Sequence, residues 1–226
     1  MRFHVFYTDD YEDGFVEDHK ACSKKQNIEV VYHISPLRDF DDIYNAHGEF
    51  MTSMMEEETD DVVCFLDLDC LVHNSVLLDD WYNWVNVNNS FAGNAQCVSH
   101  GRANHHYAAP SNLLVSKKAW KELGKPSFTW FFDEDGTQFD TAQRLTLEAD
   151  NREMSYGLFY PLGYDGPISW HMPGFGNFGI GTLYPASWHH FQISRYAKGA
   201  PTDLWSTRVY NILNDEQIIP KRLPGE

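Results

Sequence analysis

The chain has 226 residues, 42% of them hydrophobic and 15% aromatic, which is enough for one folded domain with a substantial core and too apolar for a disordered segment. Its 33 acidic and 17 basic side chains give a formal charge of −16, which argues against direct nucleic-acid binding by neutralisation of a phosphate backbone. A nucleotide ligand stays open, because a divalent cation held by carboxylates can carry the phosphate charge.

"RFHVFYT" (2–8) reads as a strand that turns acidic at its end, not as a signal peptide. "VEDHKACSKKQ" (16–26) predicts a helix and "IEVVYHI" (28–34) a second strand. "DIYNAHGEFMTSMMEEE" (42–58) has apolar residues at helical spacing, and "VVCFLDLDCLV" (62–72) is a continuous β-branched and aromatic run of the kind found in buried, mostly parallel strands. Strand, helix, strand, helix, strand is the pattern of an α/β sheet with right-handed crossovers. Ligands of such sheets bind beyond the carboxyl ends of the strands. Thr8, Asp9, Asp67 and Asp69 all sit at such ends.

Further along, "SVLLDDWYNWVN" (75–86) predicts a helix with Ser75 at its cap, and "FAGNAQ" (91–96) a strand. "SNLLVSKKAWKELG" (111–124) reads as a strand running into a short helix ended by Gly124. "DTAQRLTLEADN" (140–151) predicts a helix with Asp140 at its N-cap, and "YGLFYPL" (156–162) another strand. There is no internal repeat, linker or stretch long enough to span a bilayer. Cys22, Cys64, Cys70 and Cys97 show no metal or redox spacing and suit reduced thiols, with Cys64 in the core. A soluble, cytoplasmic protein of a bacterial or viral host is the expected setting.

Asp67-Leu68-Asp69 is the sharpest feature. A buried unpaired charge is costly, so two carboxylates at the end of an oily run need a partner. In an extended chain the two side chains point to one face and can converge on one cation. No lysine or arginine occurs between Arg38 and Arg102 to neutralise them. "FLDLDCLVHNS" is similar to the DxDGT motif of haloacid-dehalogenase-type phosphatases, in which Asp67 would be the nucleophile. That family has Gly-Thr where this chain has Cys70-Leu71, and "GYDG" (163–166) is a poor match for its later acidic pair. "PGFGNFGIG" (173–181) contains G-x-G-x-x-G but lacks the preceding apolar strand and following helix of a dinucleotide fingerprint, and suits a mobile loop over a donor ligand better.

Most of the chain resembles a GT-A glycosyltransferase. The resemblance rests on the DxD, on "SNLLVSKKAWKEL" (111–123) after it, on "FDTAQRLTLEA" (139–149) and on "WHHFQISR" (188–195). It implies a GT-A-like (Rossmann-like) mixed α/β sheet flanked by helices in a single domain, residues 1–226. About 1–100 would be the nucleotide-sugar-binding half, and about 101–226 the acceptor-binding half with a metal-binding C-terminal segment. Asp67, Asp69 and His189 or His190 would hold Mn2+ or Mg2+, a hard cation that suits carboxylates plus an imidazole. Tyr7, Thr8, Asp9, Asp67 and Arg195 would contact the donor, a nucleotide sugar with a UDP-sugar favoured. Asp140 would act on the hydroxyl of a glycan or small-molecule acceptor, with Asp133 and Asp135 as neighbouring candidates. Trp170 and Trp188 would offer ring faces to a sugar, and His105 and His106 would line the acceptor site. A nucleotidyltransferase and a non-catalytic carbohydrate-binding protein are the remaining alternatives.

Overall fold

The computed structural model describes residues 1–8, 13–35, 40–97, 105–191 and 202–224. The first part is β1 (Arg2–Thr8), α1 (Asp13–Lys25), β2 (Glu29–Ser35), α2 (Phe40–Glu57) and β3 (Val62–Leu66), with β1 pairing in parallel with both β2 and β3. Next come a short β4 (Cys70–Val72), α3 (Ser75–Asn88), β5 (Phe91–Cys97) and the long β6 (His106–Ser116). β6 lies between β3 and β5, antiparallel to both. After α4 (Lys117–Glu122), the hairpin β7 (Phe131–Phe132) and β8 (Gln138–Phe139), and α5 (Gln143–Asn151), β9 (Gly157–Phe159) pairs in parallel with β5. The result is a mixed six-stranded sheet in the order β2-β1-β3-β6-β5-β9.

The oily run at 62–66 follows from this placement, because both faces of β3 are covered. Val62, Cys64 and Leu66 pack on one side with Val16 of α1 and Leu78 of α3. Val63 and Phe65 pack on the other with Met51 and Met55 of α2, Trp120 of α4 and Leu145 of α5. All four cysteines are free and buried. No helix among the described residues is long and apolar enough to cross a membrane.

The remaining strands are short: β10 (Gly163–Tyr164), β11 (Ile168–Met172), β12 (Gly176–Gly179), β13 (Thr182–Leu183) and β14 (Ser187–His189), followed by α6 (Thr202–Leu213). A second sheet has the order β10-β13-β14-β4, and β11 with β12 forms a separate hairpin. The glycine-rich segment expected to be a loop is therefore the turn and return strand of that hairpin, with Gly174 in the turn and Gly176 opening β12.

The strand expected to run through 62–72 is broken. β3 stops at Leu66, and the Cys70 N–H donates to the Asp67 carbonyl at 3.0 Å, closing a turn. The chain then leaves the large sheet and enters the small one as β4. Asp67 and Asp69 thus lie in a turn between two sheets, not on one face of a strand. Asn74, not Ser75, caps α3, its Oδ1 accepting from the Leu77 N–H at 3.2 Å.

α2 is held against the 128–129 segment by a close backbone approach. A Cβ at Gly48 would lie 2.5 Å from the Thr129 Cα and 2.8 Å from the Phe128 carbonyl carbon. Gly48→Ala gains about 1 kcal/mol of helix propensity but overpacks a backbone contact, at about 1–3 kcal/mol. The expected net outcome is a melting temperature lower by a few degrees in a thermal scan; a rise would show that the 128–129 segment yields.

Candidate active site

The turn after β3 sets the site. The Asp67 N–H donates to the Ser111 carbonyl at 3.1 Å, tying the turn to β6. β14 lies antiparallel to β4 with His189 opposite Cys70, and the His190 N–H donates to the Asp69 carbonyl at 2.8 Å. This register brings His189 Nε2 to 3.1 Å from Asp69 Oδ1, both side chains being buried. Asp67, Asp69 and His189 each present a ligand atom within 4.8 Å of the others. The neighbouring His190 points into the core instead, with its ring 5.4 Å from Trp188 and 6.3 Å from Trp205.

Below the turn is a buried polar floor linking β5, β6 and β14. The Asn94 Nδ2–H donates to Ser111 Oγ at 3.1 Å, and the Ser187 hydroxyl donates to Asn94 Oδ1 at 3.2 Å. Asn112 Nδ2 donates to Ser187 Oγ at 3.4 Å. Asn94 and Asn112 are fully buried, and the network ties β5 and β6 to β14 beneath the turn.

The electrostatics of the pair are asymmetric. Burial, then the Asp69 charge, pushes the Asp67 carboxyl up to about 7, with Asp140 adding to the same effect. Burial also opposes ionisation of Asp69, but His189, through charge and a hydrogen bond, holds that carboxyl below its usual range. Among the described residues neither aspartate is paired with a lysine or arginine; the basic groups beside them are imidazoles, His189 foremost. The donor set, two carboxylates and an imidazole drawn together with a deficit of positive charge, fits a hard divalent cation.

His47 of α2 stands at the edge of this cluster and was not singled out from sequence. Its ring stacks on Phe6 (centroids 5.5 Å apart, planes 5° apart), and its Nε2 is 3.8 Å from Asp67 Oδ1. Burial lowers its pKa to about 4, so it is neutral at pH 7. In the sequence it is one more residue of an amphipathic helix, and nothing in the spacing separates it from a core histidine.

Asp140 lies at a second edge of the site. Its Oδ2 accepts from the Tyr107 hydroxyl at 2.8 Å and its Oδ1 from the Thr141 N–H at 2.8 Å. It does not cap α5. That helix starts at Gln143 after Ala142, which has a left-handed backbone (φ 66°) and no side-chain cap bond. The Gln143 side chain instead turns back to accept the Asp140 N–H at 2.9 Å.

Tyr7 and Thr8 end β1 at the carboxyl edge of the sheet, Thr8 buried and Tyr7 half-buried. Asp9 and Arg195 lie outside the described residues. Asp133 and Asp135 are exposed, and Asp133 Oδ1 accepts from the Thr137 N–H at 2.7 Å in the β7–β8 turn. His105 pairs with Asp150 at 2.9 Å. Trp188 is fully buried with its Nε1–H donating to Asp165 Oδ2 at 2.9 Å, so it presents no face to a sugar. Trp170 is largely covered by Phe178 and Phe191.

No protein-family profile and no characterised relative matches the chain by sequence. Among solved structures, that of the galactosyltransferase LgtC in complex with donor and acceptor sugar analogues is 15% identical, with a TM-score of 0.53 over 98% of each chain. The catalytic domain of Drosophila β1,4-galactosyltransferase 7, in complex with xylobiose, is 12% identical with a TM-score of 0.45, covering 99% of this chain and 91% of that one. The sheet order, the flanking helices and the full-length overlap with LgtC lead to one conclusion: the chain has the GT-A glycosyltransferase fold, with an Asp-x-Asp motif in the turn that ends its third strand.

Proposed function

We propose that this chain is a metal-dependent glycosyltransferase that moves a hexosyl or pentosyl group from a nucleoside diphosphate sugar, with a UDP-sugar favoured, to a hydroxyl acceptor. The observation that carries this reading is the convergence of Asp67, Asp69 and His189 at the carboxyl end of the sheet. Asp69 and His189 would hold Mn2+ or Mg2+, with Asp67 sharing the ion or touching the donor ribose. When bound, such an ion supplies Lewis-acid stabilisation of the charge that develops on the leaving diphosphate. Tyr7 and Thr8, with Asp9 beyond the described residues, would contact the base and ribose. Arg195, also beyond them, would add a charge-assisted bond to the phosphates.

Asp140 would accept the proton of the acceptor hydroxyl, and a base in that role implies inversion of the anomeric centre. Tyr107 orients it through the 2.8 Å hydrogen bond. Asp140→Asn keeps the shape of the side chain and removes the base. The expected result is a drop in turnover of about 10²–10⁴-fold with nucleotide binding unchanged; full turnover would remove Asp140 from the chemistry.

The phosphatase alternative loses ground because Asp165 of "GYDG" is occupied elsewhere, taking donors from Arg208, Trp188 and Lys221. A thermal scan of the full chain against nucleoside diphosphates and nucleotide sugars, with Mn2+ or with chelator, tests the main reading. A nucleotide at about 100 times its Kd stabilises by about 2.7 kcal/mol, and the shift should appear only with the metal. A shift with Mg2+ and a phosphate mimic, but with no nucleotide, would favour the phosphatase. Pyrophosphate release from a nucleoside triphosphate would favour a nucleotidyltransferase.

A further inference from the structure

We propose that Phe175, stacked on Tyr160 beside His106, forms a remote acceptor subsite for a ring of a neutral glycan, beyond the sugar that reacts. The inference rests on the glycosyltransferase reading above and adds the acceptor class to it.

Phe175 is the tip of the β11–β12 hairpin. Its N–H donates to the Met172 carbonyl at 3.0 Å, and it stands between Gly174 (φ 82°) and Gly176 (φ 103°), backbone conformations that a side chain would strain. The turn thus places an aromatic residue at the hairpin tip, and that residue is 38% exposed. Tyr160 covers one face, with centroids 4.2 Å apart and planes 10° apart. His106 meets both rings edge-on, at 5.6 Å from Phe175 and 5.8 Å from Tyr160. Three separate parts of the chain, β6, the segment after β9 and the hairpin tip, thus build one small surface.

Its chemistry suits a sugar. The remaining face of Phe175 is flat and apolar, matching the C–H face of a pyranose. The Tyr160 hydroxyl and the His106 imidazole, 3.5 Å apart, lie beside it and can exchange hydrogen bonds with hydroxyl groups. Burial lowers the His106 pKa, which keeps the imidazole neutral, and none of the three residues carries a charge to select an anionic ligand. The surface is also continuous with the site. From the same hairpin Trp170 packs on Phe191 at 5.4 Å, and Phe191 on His189 at 3.9 Å.

The test uses the full chain and an array of immobilised neutral and anionic oligosaccharides, with the UDP–Mn2+ thermal shift measured in parallel. The wild type should bind neutral oligosaccharides, Phe175→Ala should weaken that binding at least ten-fold, Tyr160→Leu should weaken it as well, and both variants should keep the UDP–Mn2+ shift. Glycan binding unaffected by Phe175→Ala, or confined to anionic glycans, would overturn the subsite. So would a wild type that responds to UDP–Mn2+ but binds no glycan. A change from dimer to monomer on Phe175→Ala in sedimentation, without an effect on glycan binding, would identify the surface as a self-association contact and overturn it too. Phe175-dependent glycan binding by a wild type that ignores UDP and Mn2+ would uphold the sugar site and sink the transferase reading.

Discussion

Asp69→Asn is expected to abolish manganese-dependent stabilisation by UDP and to flatten the pH dependence of metal-free stability. The two halves of this outcome have different causes. Asparagine has the shape of aspartate, so the turn and the contact to His189 at 3.1 Å can persist, but its amide oxygen lacks the negative charge that makes a carboxylate the stronger ligand for a divalent cation. Removing the Asp69 charge also removes one of the effects, beside burial and the Asp140 charge, that push Asp67 up to about 7. In the folded chain Asp67 keeps its proton to about pH 7, whereas in the unfolded chain it gives it up near the ordinary 3.8. The folded state therefore binds more protons between those values, and metal-free stability from this group is present below about pH 4 and lost as pH rises through 7. In the variant that decline should be shallower. Calorimetric scans at pH 5 and pH 8, with and without UDP and Mn2+, read both effects. An unchanged metal-dependent shift would overturn the assignment of Asp69.

Arg208→Ala should cause the largest loss of stability. Asp165 is completely buried, and Arg208 reaches it with two bonds, Nη2 to Oδ1 at 2.6 Å and Nε to Oδ2 at 3.0 Å. The same carboxylate accepts from Trp188 Nε1 and from the Lys221 N–H, so four donors converge on it. Truncating the arginine leaves a buried carboxylate without its counter-charge, at about 3–5 kcal/mol. A chain of this length loses about 2–4 °C of melting temperature per kcal/mol, so a drop of about 10 °C is expected. The double replacement Asp165→Leu with Arg208→Met should recover part of it, because the penalty comes from the stranded charge and not from the missing bond. Equal losses in single and double variants would contradict this account.

The α/β half was legible because its signals are local. The alternation of apolar runs and amphipathic stretches to residue 66 places β1 to β3 and their helices within a few positions, and the coverage of both faces of β3 explains why Val62–Leu66 carries no polar residue. The break at Asp67 was not legible, since Cys70, Leu71 and Val72 are as apolar as the strand before them. Their own sheet is assembled from partners more than a hundred residues away. The left-handed Ala142 displaced the expected cap at Asp140 for a similar reason: the Ala142 N–H is drawn to the Phe128 carbonyl at 2.9 Å, a contact set by tertiary structure. Of the candidate site, the DxD and the C-terminal histidine pair could be named from sequence, but the choice of His189 over His190 needed the strand register. His47 and Tyr107 carried no signal in spacing, because helical and strand patterns make them look like ordinary core residues.

The turn between the two sheets also has a topological consequence. Asp69 and His189 are 120 positions apart, so any ion that bridges them closes more than half of the chain into one loop. A cross-link of that span removes unfolded-state freedom worth about 5 kcal/mol in the chain-entropy description used for disulfides. Such an ion would act as a reversible staple across the molecule. Amide exchange in β3, β4 and β14 would then slow together when the ion binds, joining the large and small sheets into one cooperative unit.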